Sequence, residues 1–239
     1  MNPSFDIIIP VFNEESRLPK TLGLVTRYAA EKGTVGKIII VDDHSTDSTK
    51  VVIADWMSRF PSIVTMESGM KGKGGAVKTG MLSSQAPYAL FTDADLSTPI
   101  ECVEGLFKAV ETGEYDVAIG SRHLKESVVT GQSGPRKLLS WGVNLLDHIV
   151  LGNDVRDSQC GFKLFSQKAR EAIFSRQTVA GFGFDMELLT IARIHGFKVA
   201  EIPVSWVHNK QSRVRAIVDS LKIFREMLHI RMKIWSKSY

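Results

Sequence analysis

The sequence predicts an α/β fold: a mostly parallel sheet with helices on both faces. Three observations carry this reading. Short β-rich runs alternate with amphipathic stretches through residues 1–120. The runs are almost continuously apolar, as strands covered on both faces must be. Acidic and glycine-containing segments follow them, where the carboxyl ends of parallel strands would open into a ligand crevice. The first half therefore reads as a doubly wound, Rossmann-like nucleotide domain.

The strands are expected at Phe5 to Ile9, Lys37 to Val41, Val64 to Glu67, Tyr88 to Thr92 and Asp116 to Gly120, with helices between them. After Arg122 the pattern is less regular. A polar loop runs through Gly134-Pro135, a helix spans Arg136 to Leu151, and a compact segment covers Asp157 to Phe165. Helices near 167–175 and 184–195 and a strand near 198–206 complete this part, without linker or repeat. A last helix, about 214–235, sets Arg215, Lys222, Glu226, His229 and Lys233 along one stripe and Ile217, Leu221, Phe224, Leu228 and Trp235 along another. The organisation is a main domain over 1–212 followed by a basic amphipathic helix over 213–239.

With 239 residues and 44% hydrophobic content, the chain can bury a substantial core. A net charge of +4 permits an anionic partner. The basic residues do not interleave with stacking aromatics, so nucleic acid is not expected. Cys102 and Cys160 form no C-x-x-C pair, which argues against a zinc site or disulfide framework and for a reducing cytoplasm. Met1-Asn2-Pro3-Ser4 leads into a strand without the marks of a signal peptide. No stretch approaches the roughly 20 apolar residues that span a bilayer, so membrane contact is expected to be peripheral.

Four segments carry chemistry. Ile9-Pro10-Val11-Phe12-Asn13-Glu14-Glu15 ends the first strand in a proline turn, where Asn13 or Glu14 can also begin a helix. Val41-Asp42-Asp43-His44-Ser45-Thr46-Asp47 ends the second; its acids can accept from a nucleobase N–H or ribose hydroxyls, while Ser45 or Asp47 caps the next helix. Gly72-Lys73-Gly74-Gly75-Ala76 enters a helix whose N–H groups and lysine can approach a diphosphate. It matches neither the P-loop nor the dinucleotide glycine pattern, which removes the main support for NTP hydrolysis and dinucleotide redox chemistry. Asp93-Ala94-Asp95 closes the fourth strand; it serves either as an acidic turn or as a ligand pair for a divalent cation.

Together, and in this order, the four segments resemble the family 2 glycosyltransferases, inverting enzymes of the GT-A fold that use nucleotide sugars. The resemblance implies that Pro10, Phe12, Glu14, Asp42, Asp43, Lys73 and Asp93 bind the donor and that Asp93 and Asp95 hold Mg²⁺ or Mn²⁺. Further along, Gly120-Ser121-Arg122, Arg136, the run Arg156 to Phe165 and Phe184-Asp185-Met186-Glu187-Leu188-Leu189 resemble the polyprenyl-phosphate sugar transferases, dolichyl-phosphate β-glucosyltransferases in particular. The implied reaction moves glucose from UDP-glucose to a dolichyl or polyprenyl phosphate; the alternatives are mannose from GDP-mannose and a non-catalytic nucleotide-sugar-binding module.

In that reading Asp95, Asp157, Arg122 and Arg136 form the catalytic set. Arg122 and Arg136 would clamp the acceptor phosphate. Asp157 and Gln159 would orient a sugar or the acceptor, with a base-like role open to Asp157. Asp185 and Glu187 sit where acids complement a helix start whatever else they do. Two departures from the family pattern stand out. The amino-terminal membrane anchor of the eukaryotic enzymes is missing, which suggests a bacterial or archaeal relative, and Gln211-Ser212-Arg213 replaces the usual Gly-Ser-Lys. Arg213, grouped by the resemblance with the donor-binding residues, still offers the loop a cation, planar and bidentate where lysine is a point charge. The terminal helix would dock peripherally on the cytoplasmic face of a membrane, pack into the core, or form a homodimer.

Overall fold

The computed structural model describes residues 5–131, 134–208 and 216–239, those at 135–139 and 216–220 by backbone alone. Its central sheet has seven strands: β1 (Phe5–Val11), β2 (Val35–Asp42), β3 (Ile63–Glu67), β4 (Tyr88–Thr92), β5 (Val117–Ser121), β7 (Phe162–Ser166) and β8 (Val199–Pro203). Their order is β3-β2-β1-β4-β7-β5-β8, and only β7 runs antiparallel to its neighbours. The five strands read from the apolar runs are present, with ends moved by one or two residues, and the fourth spans the expected Tyr88–Thr92.

Alternation along each strand explains why the runs are apolar throughout. Ile8, Ile39 and Phe91 face one layer of helices, α3 (Lys73–Ser83), α5 (Gly134–Leu151), α6 (Gln167–Arg176), α7 (Phe184–Ile194) and α8 (Ala216–Trp235). Ile7, Ile9, Ile38, Ile40 and Leu90 face the other, α1 (Leu18–Lys32), α2 (Thr49–Arg59) and α4 (Val103–Glu111). In-register pairs such as Ile7 with Ile38 on one side and Leu90 on the other hold both faces continuous.

Three features differ from the sequence reading. β7 lies inside what read as a compact segment; its Lys163 interrupts an otherwise strand-like run. The strand expected near 198–206 is two strands, because β8 ends at Pro203 and β9 (Ser205–Val207) leaves the sheet to pair in parallel with β6 (Val128–Thr130). The terminal helix presents two apolar faces rather than one. Ile223, Met227 and Ile230 are buried against the core, while Leu221 (68% exposed), Phe224, Leu228, Met232 and Trp235 (71%) face outward. α5 packs beside α8 and exposes Trp141, Leu145 and Ile149 at helical spacing.

α5 also carries a buried acid. Asp147 is 1% exposed, and burial pushes its carboxyl up to about 6 despite the nearby Ser158 hydroxyl and a hydrogen bond from Asn153 Nδ2 at 2.8 Å. The folded chain therefore holds this proton more tightly than the unfolded one, so stability falls as pH rises through roughly 4 to 6. The full deficit above that window is on the order of 2–3 kcal/mol. Asp147→Asn, which retains an acceptor for Asn153, is expected to melt higher than the parent at pH 8 and close to it at pH 4. An equal difference at both pH values would contradict this.

Candidate active site

Because β1, β2 and β4 are parallel, the segments that follow them meet along one edge of the sheet. Three of the four described non-glycine residues with positive φ lie there: Asn13 (55°), His44 (60°) and Leu96 (44°). Such backbone outliers concentrate where surrounding structure holds a site in place. Asn13 Oδ1 accepts from the Thr46 N–H at 2.7 Å, and its own N–H donates to Ser45 Oγ at 2.8 Å. The Glu14 N–H reaches Thr49 Oγ1 at 2.7 Å, so the first two motifs are laced into one wall.

This wall borders a cleft of about 430 Å³ lined by Pro10, Phe12, Glu14, Arg17, Asp43, Lys73, Asp93, Asp95 and Phe182. Glu14 and Arg17 form a two-bond ion pair, at 2.6 and 2.5 Å. Both Asp43 oxygens accept from the Gly72 N–H, at 3.0 and 2.9 Å, which anchors the turn into α3. Gly72 has φ 119°, and a Cβ there would lie 2.5 Å from the Ala180 carbonyl, so both conformation and space demand glycine. α3 thus starts at the cleft, with Lys73 as its first residue.

Lys73 Nζ sits 2.6 Å from Asp93 Oδ1. Burial alone would lower the ammonium, but Asp93 and, behind it, Asp185 hold it above its ordinary value. Asp95 lines the same cleft, and its Oδ1 caps the Ser97 N–H at 3.0 Å, so the acidic motif also does the work of a turn. Asp42 is set apart. Its neighbour Asp43 enters the cleft, but Asp42 turns toward α2 and lines a separate hollow of about 230 Å³ with Lys50 and Glu67. Successive residues at a strand end point to opposite faces, which divides the pair.

The segment after α5 abuts the acidic motif: a Cβ on Gly161 would fall 2.4 Å from Asp93 Oδ2. Just before it, Asp157 is fully buried and receives three hydrogen bonds from Arg122, from N (2.8 Å), Nε (2.7 Å) and Nη2 (2.8 Å). Burial would raise the Asp157 carboxyl; Arg122 overrides this and holds it below the usual carboxylate range. Arg122 also lies over the Trp206 ring, 5.5 Å from its centroid. Cys160 is buried beside them, and burial pushes its thiol up to about 12, out of reach of thiolate chemistry at neutral pH.

Beneath the cleft Lys163, with no exposed surface, reaches Asp185 at 2.5 Å and the Cys160 carbonyl at 2.6 Å. Glu187 accepts from the Thr178 and Val179 N–H groups and from Thr178 Oγ1. Both acids of the Phe184–Leu189 segment therefore have structural partners. Lys163, Arg17 and Phe182 were not singled out from sequence. A lone lysine inside the apolar run Gly161-Phe162-Lys163-Leu164-Phe165 was the one available signal, since buried lysines occur with partners. Arg136 is placed by backbone only, in the first turn of α5, and Arg213 lies outside the described residues.

A mostly parallel sheet whose acidic motif closes the fourth strand at such a cleft is the GT-A architecture of glycosyltransferases. It superposes on glucosyl-3-phosphoglycerate synthase from Mycobacterium tuberculosis in complex with phosphoglyceric acid, with a TM-score of 0.73 and 18% identity over 95% of this chain and 80% of that one. The same enzyme in complex with Mn²⁺, UDP-glucose and phosphoglyceric acid gives a TM-score of 0.70 and 19% identity over 96% and 80%. At that identity the likeness concerns the fold.

The chain belongs to glycosyl transferase family 2, whose sequence model matches residues 6–174. Among its relatives are the dolichyl-phosphate β-glucosyltransferases of Homo sapiens (32% identical over 95% of this chain and 74% of that protein) and Saccharomyces cerevisiae (34%; 95% and 73%). That of Dictyostelium discoideum is 30% identical over 97% and 75%.

Proposed function

We infer that this chain transfers glucose from UDP-glucose to a dolichyl or polyprenyl phosphate, with inversion at the anomeric carbon. The observation that carries the reading is the convergence, on one edge of the sheet, of a diphosphate-type helix start with Lys73, the acidic pair Asp93 and Asp95, and the Arg122–Asp157 pair beside them. The similarity to dolichyl-phosphate β-glucosyltransferases over most of the chain supports both substrates.

Asp93 and Asp95 suit a hard divalent cation, Mg²⁺ or Mn²⁺. Among the described residues no three His, Cys, Asp or Glu side chains gather into a complete cage. Cations of this kind take one or two carboxylates and draw their other oxygens from substrate phosphates and water. The ion pair between Lys73 and Asp93 sets this carboxylate against a positive charge, and apart from that pair Asp93 Oδ1 is buried without a hydrogen-bond donor among the described residues. When bound, the cation supplies charge neutralisation on the departing diphosphate.

The protein's own groups do the rest. Lys73, at the positive end of the α3 dipole, receives diphosphate oxygens. Phe12, 45% exposed at the cleft, offers a face to the base. A lipid phosphate carries close to two negative charges near neutral pH, since its second pKa is about 6, and is already a nucleophile. The difficulty is bringing two anions together, which assigns Arg122 to the acceptor phosphate, alongside Arg136 from the sequence reading. Asp157, ionised and fully engaged by Arg122, orients that guanidinium rather than accepting a proton. Gly161→Ala would displace Asp93, and a shift of about 1 Å at such a group costs up to roughly a hundredfold in turnover. We expect that loss together with a weaker Mn²⁺ response; wild-type kinetics would argue against the packing role.

A lipid acceptor requires access to a bilayer, and no described helix is long and apolar enough to cross one. The exposed stripe of α8, flanked by Arg225 and Arg231, suits peripheral docking on the cytoplasmic face. The deciding assay offers UDP-glucose and GDP-mannose separately with short-chain polyprenyl phosphate and Mn²⁺, and follows sugar-lipid by mass spectrometry. Glucosyl-lipid alone is the expected product. Mannosyl-lipid alone would overturn the donor, and absence of either with UDP bound would favour a non-catalytic binding module.

A further inference from the structure

The segment 177–183, between α6 and α7, lies backbone to backbone against the start of α3. The Gly74 N–H donates to the Ala180 carbonyl at 2.8 Å. Gln177 Nε2 donates to the Gly74 and Val179 carbonyls, each at 2.9 Å, and Lys78 Nζ to the Gln177 carbonyl at 2.6 Å. Phe182, in the same segment, lines the cleft beside Lys73. The position of Lys73 therefore depends on where this segment sits.

The far side of the segment is held by the last 14 residues of the 239-residue chain, at two points. Glu226 of α8 accepts from the Gly183 N–H at 2.7 Å. The chain leaves room for it: a Cβ on Gly181 would fall 1.8 Å from Glu226 Oε1, and one on Gly183 would fall 2.8 Å from Oε2. Tyr239 Oη donates to Glu187 Oε1 at 2.8 Å, and Glu187 in turn carries the Thr178 and Val179 N–H groups. One bond from α8 thus meets the 183 end of the segment directly, and a second, from Tyr239, supports its 178 end through Glu187.

We propose that α8 and the tail complete the donor site: Glu226 and Tyr239 are positioning residues that press segment 178–183 onto α3 and so set Lys73 and Phe182 for the diphosphate of the nucleotide sugar. This rests on the donor-site reading above. It gives the terminal helix a role inside the domain, on a different face from its exposed apolar stripe. Neither residue touches substrate. Their effect belongs to donor binding, and the acceptor side, held by Arg122 and Asp157, is independent of them.

The test uses the full chain with Glu226→Ala, Glu226→Gln and Tyr239→Phe, measuring UDP affinity by calorimetry with Mn²⁺ and KM for both substrates. Loss of one such bond should weaken UDP affinity and raise the donor KM by about 3- to 10-fold in Glu226→Ala and Tyr239→Phe, with the acceptor KM unchanged. Glu226→Gln still offers a carbonyl to the Gly183 N–H and should retain the parent donor KM. Tyr239→Phe removes a single oxygen from a partly exposed side chain, so it remains informative if Glu226→Ala folds poorly. UDP affinity within twofold of the parent in both, or donor and acceptor KM rising together, would overturn the proposal. A parent protein that binds no UDP would instead overturn the donor-site reading on which it stands.

Discussion

Asp95→Ala is expected to reduce glucosyl transfer by about a thousandfold while leaving the protein folded, the scale seen when a preorganised electrostatic partner of developing charge is removed. The argument is one of placement. Asp95 follows a strand buried from Ala89 to Thr92 and lines the cleft, where its carboxylate is within reach of a ligand. The local cost is the bond it accepts from the Ser97 N–H, worth roughly 1 kcal/mol. Turnover and stability should therefore separate. The check pairs a Mn²⁺ titration of the rate with a thermal melt; parent-level turnover would remove Asp95 from the machinery, and a collapsed melt would make its role structural.

Asp157→Ala should damage both. Asp157 has no exposed surface and the Arg122 side chain only 14%, so the change leaves a guanidinium largely out of water without its counter-charge. Breaking a buried pair in this way costs about 3–5 kcal/mol, and Arg122, no longer held by three bonds, loses the orientation that its proposed role toward the acceptor phosphate requires. The pH dependence has a definite sign. Because the Asp157 carboxyl is held below its unfolded value, the pair stabilises fully above about pH 4 and loses that contribution as pH falls through the folded value. The gap between parent and variant should therefore be largest near neutrality and narrow in acid. Acceptor KM should rise more than donor KM; an unchanged acceptor KM in a folded variant would contradict the assignment of Arg122.

Much of this was legible from residues alone, for physical reasons. Strands covered on both faces must be apolar throughout, so β1, β2, β4 and β5 announced themselves. A ligand edge collects polar groups at strand ends, and the resemblance of the four segments to family 2 glycosyltransferases grouped Pro10, Asp43, Lys73, Asp93 and Asp95 before any geometry was known. What escaped depends on contacts distant in sequence. β7 was hidden by Lys163, whose charge makes sense only once Asp185 lies beside it, 22 residues away. The separation of Asp42 from Asp43 follows from the pleat at a strand end, which the dipeptide itself does not display. α8 read as one apolar stripe because Ile223, Met227 and Ile230 differ from Leu221, Phe224 and Leu228 only in what covers them. The bond from Glu226 to Gly183 spans 43 residues and has no sequence signature.

The place of β7 has a consequence for how the protein is made. β4 and β5 are consecutive in the chain but are not neighbours in the sheet; the reversed strand lies between them and pairs with both. A growing chain that has passed Ser121 but not yet released Phe162–Ser166 leaves β4 open on one side and β5 on both, because β8 follows later still, and no earlier segment can close these edges. Domains generally assemble from the amino terminus during synthesis, so β1 to β4 can pair early while β5 waits for a partner still to emerge. The interval from Arg122 to Gly161 is thus the span over which the nascent protein is most exposed to mispairing, and over which a chaperone that shields strand edges would help it most.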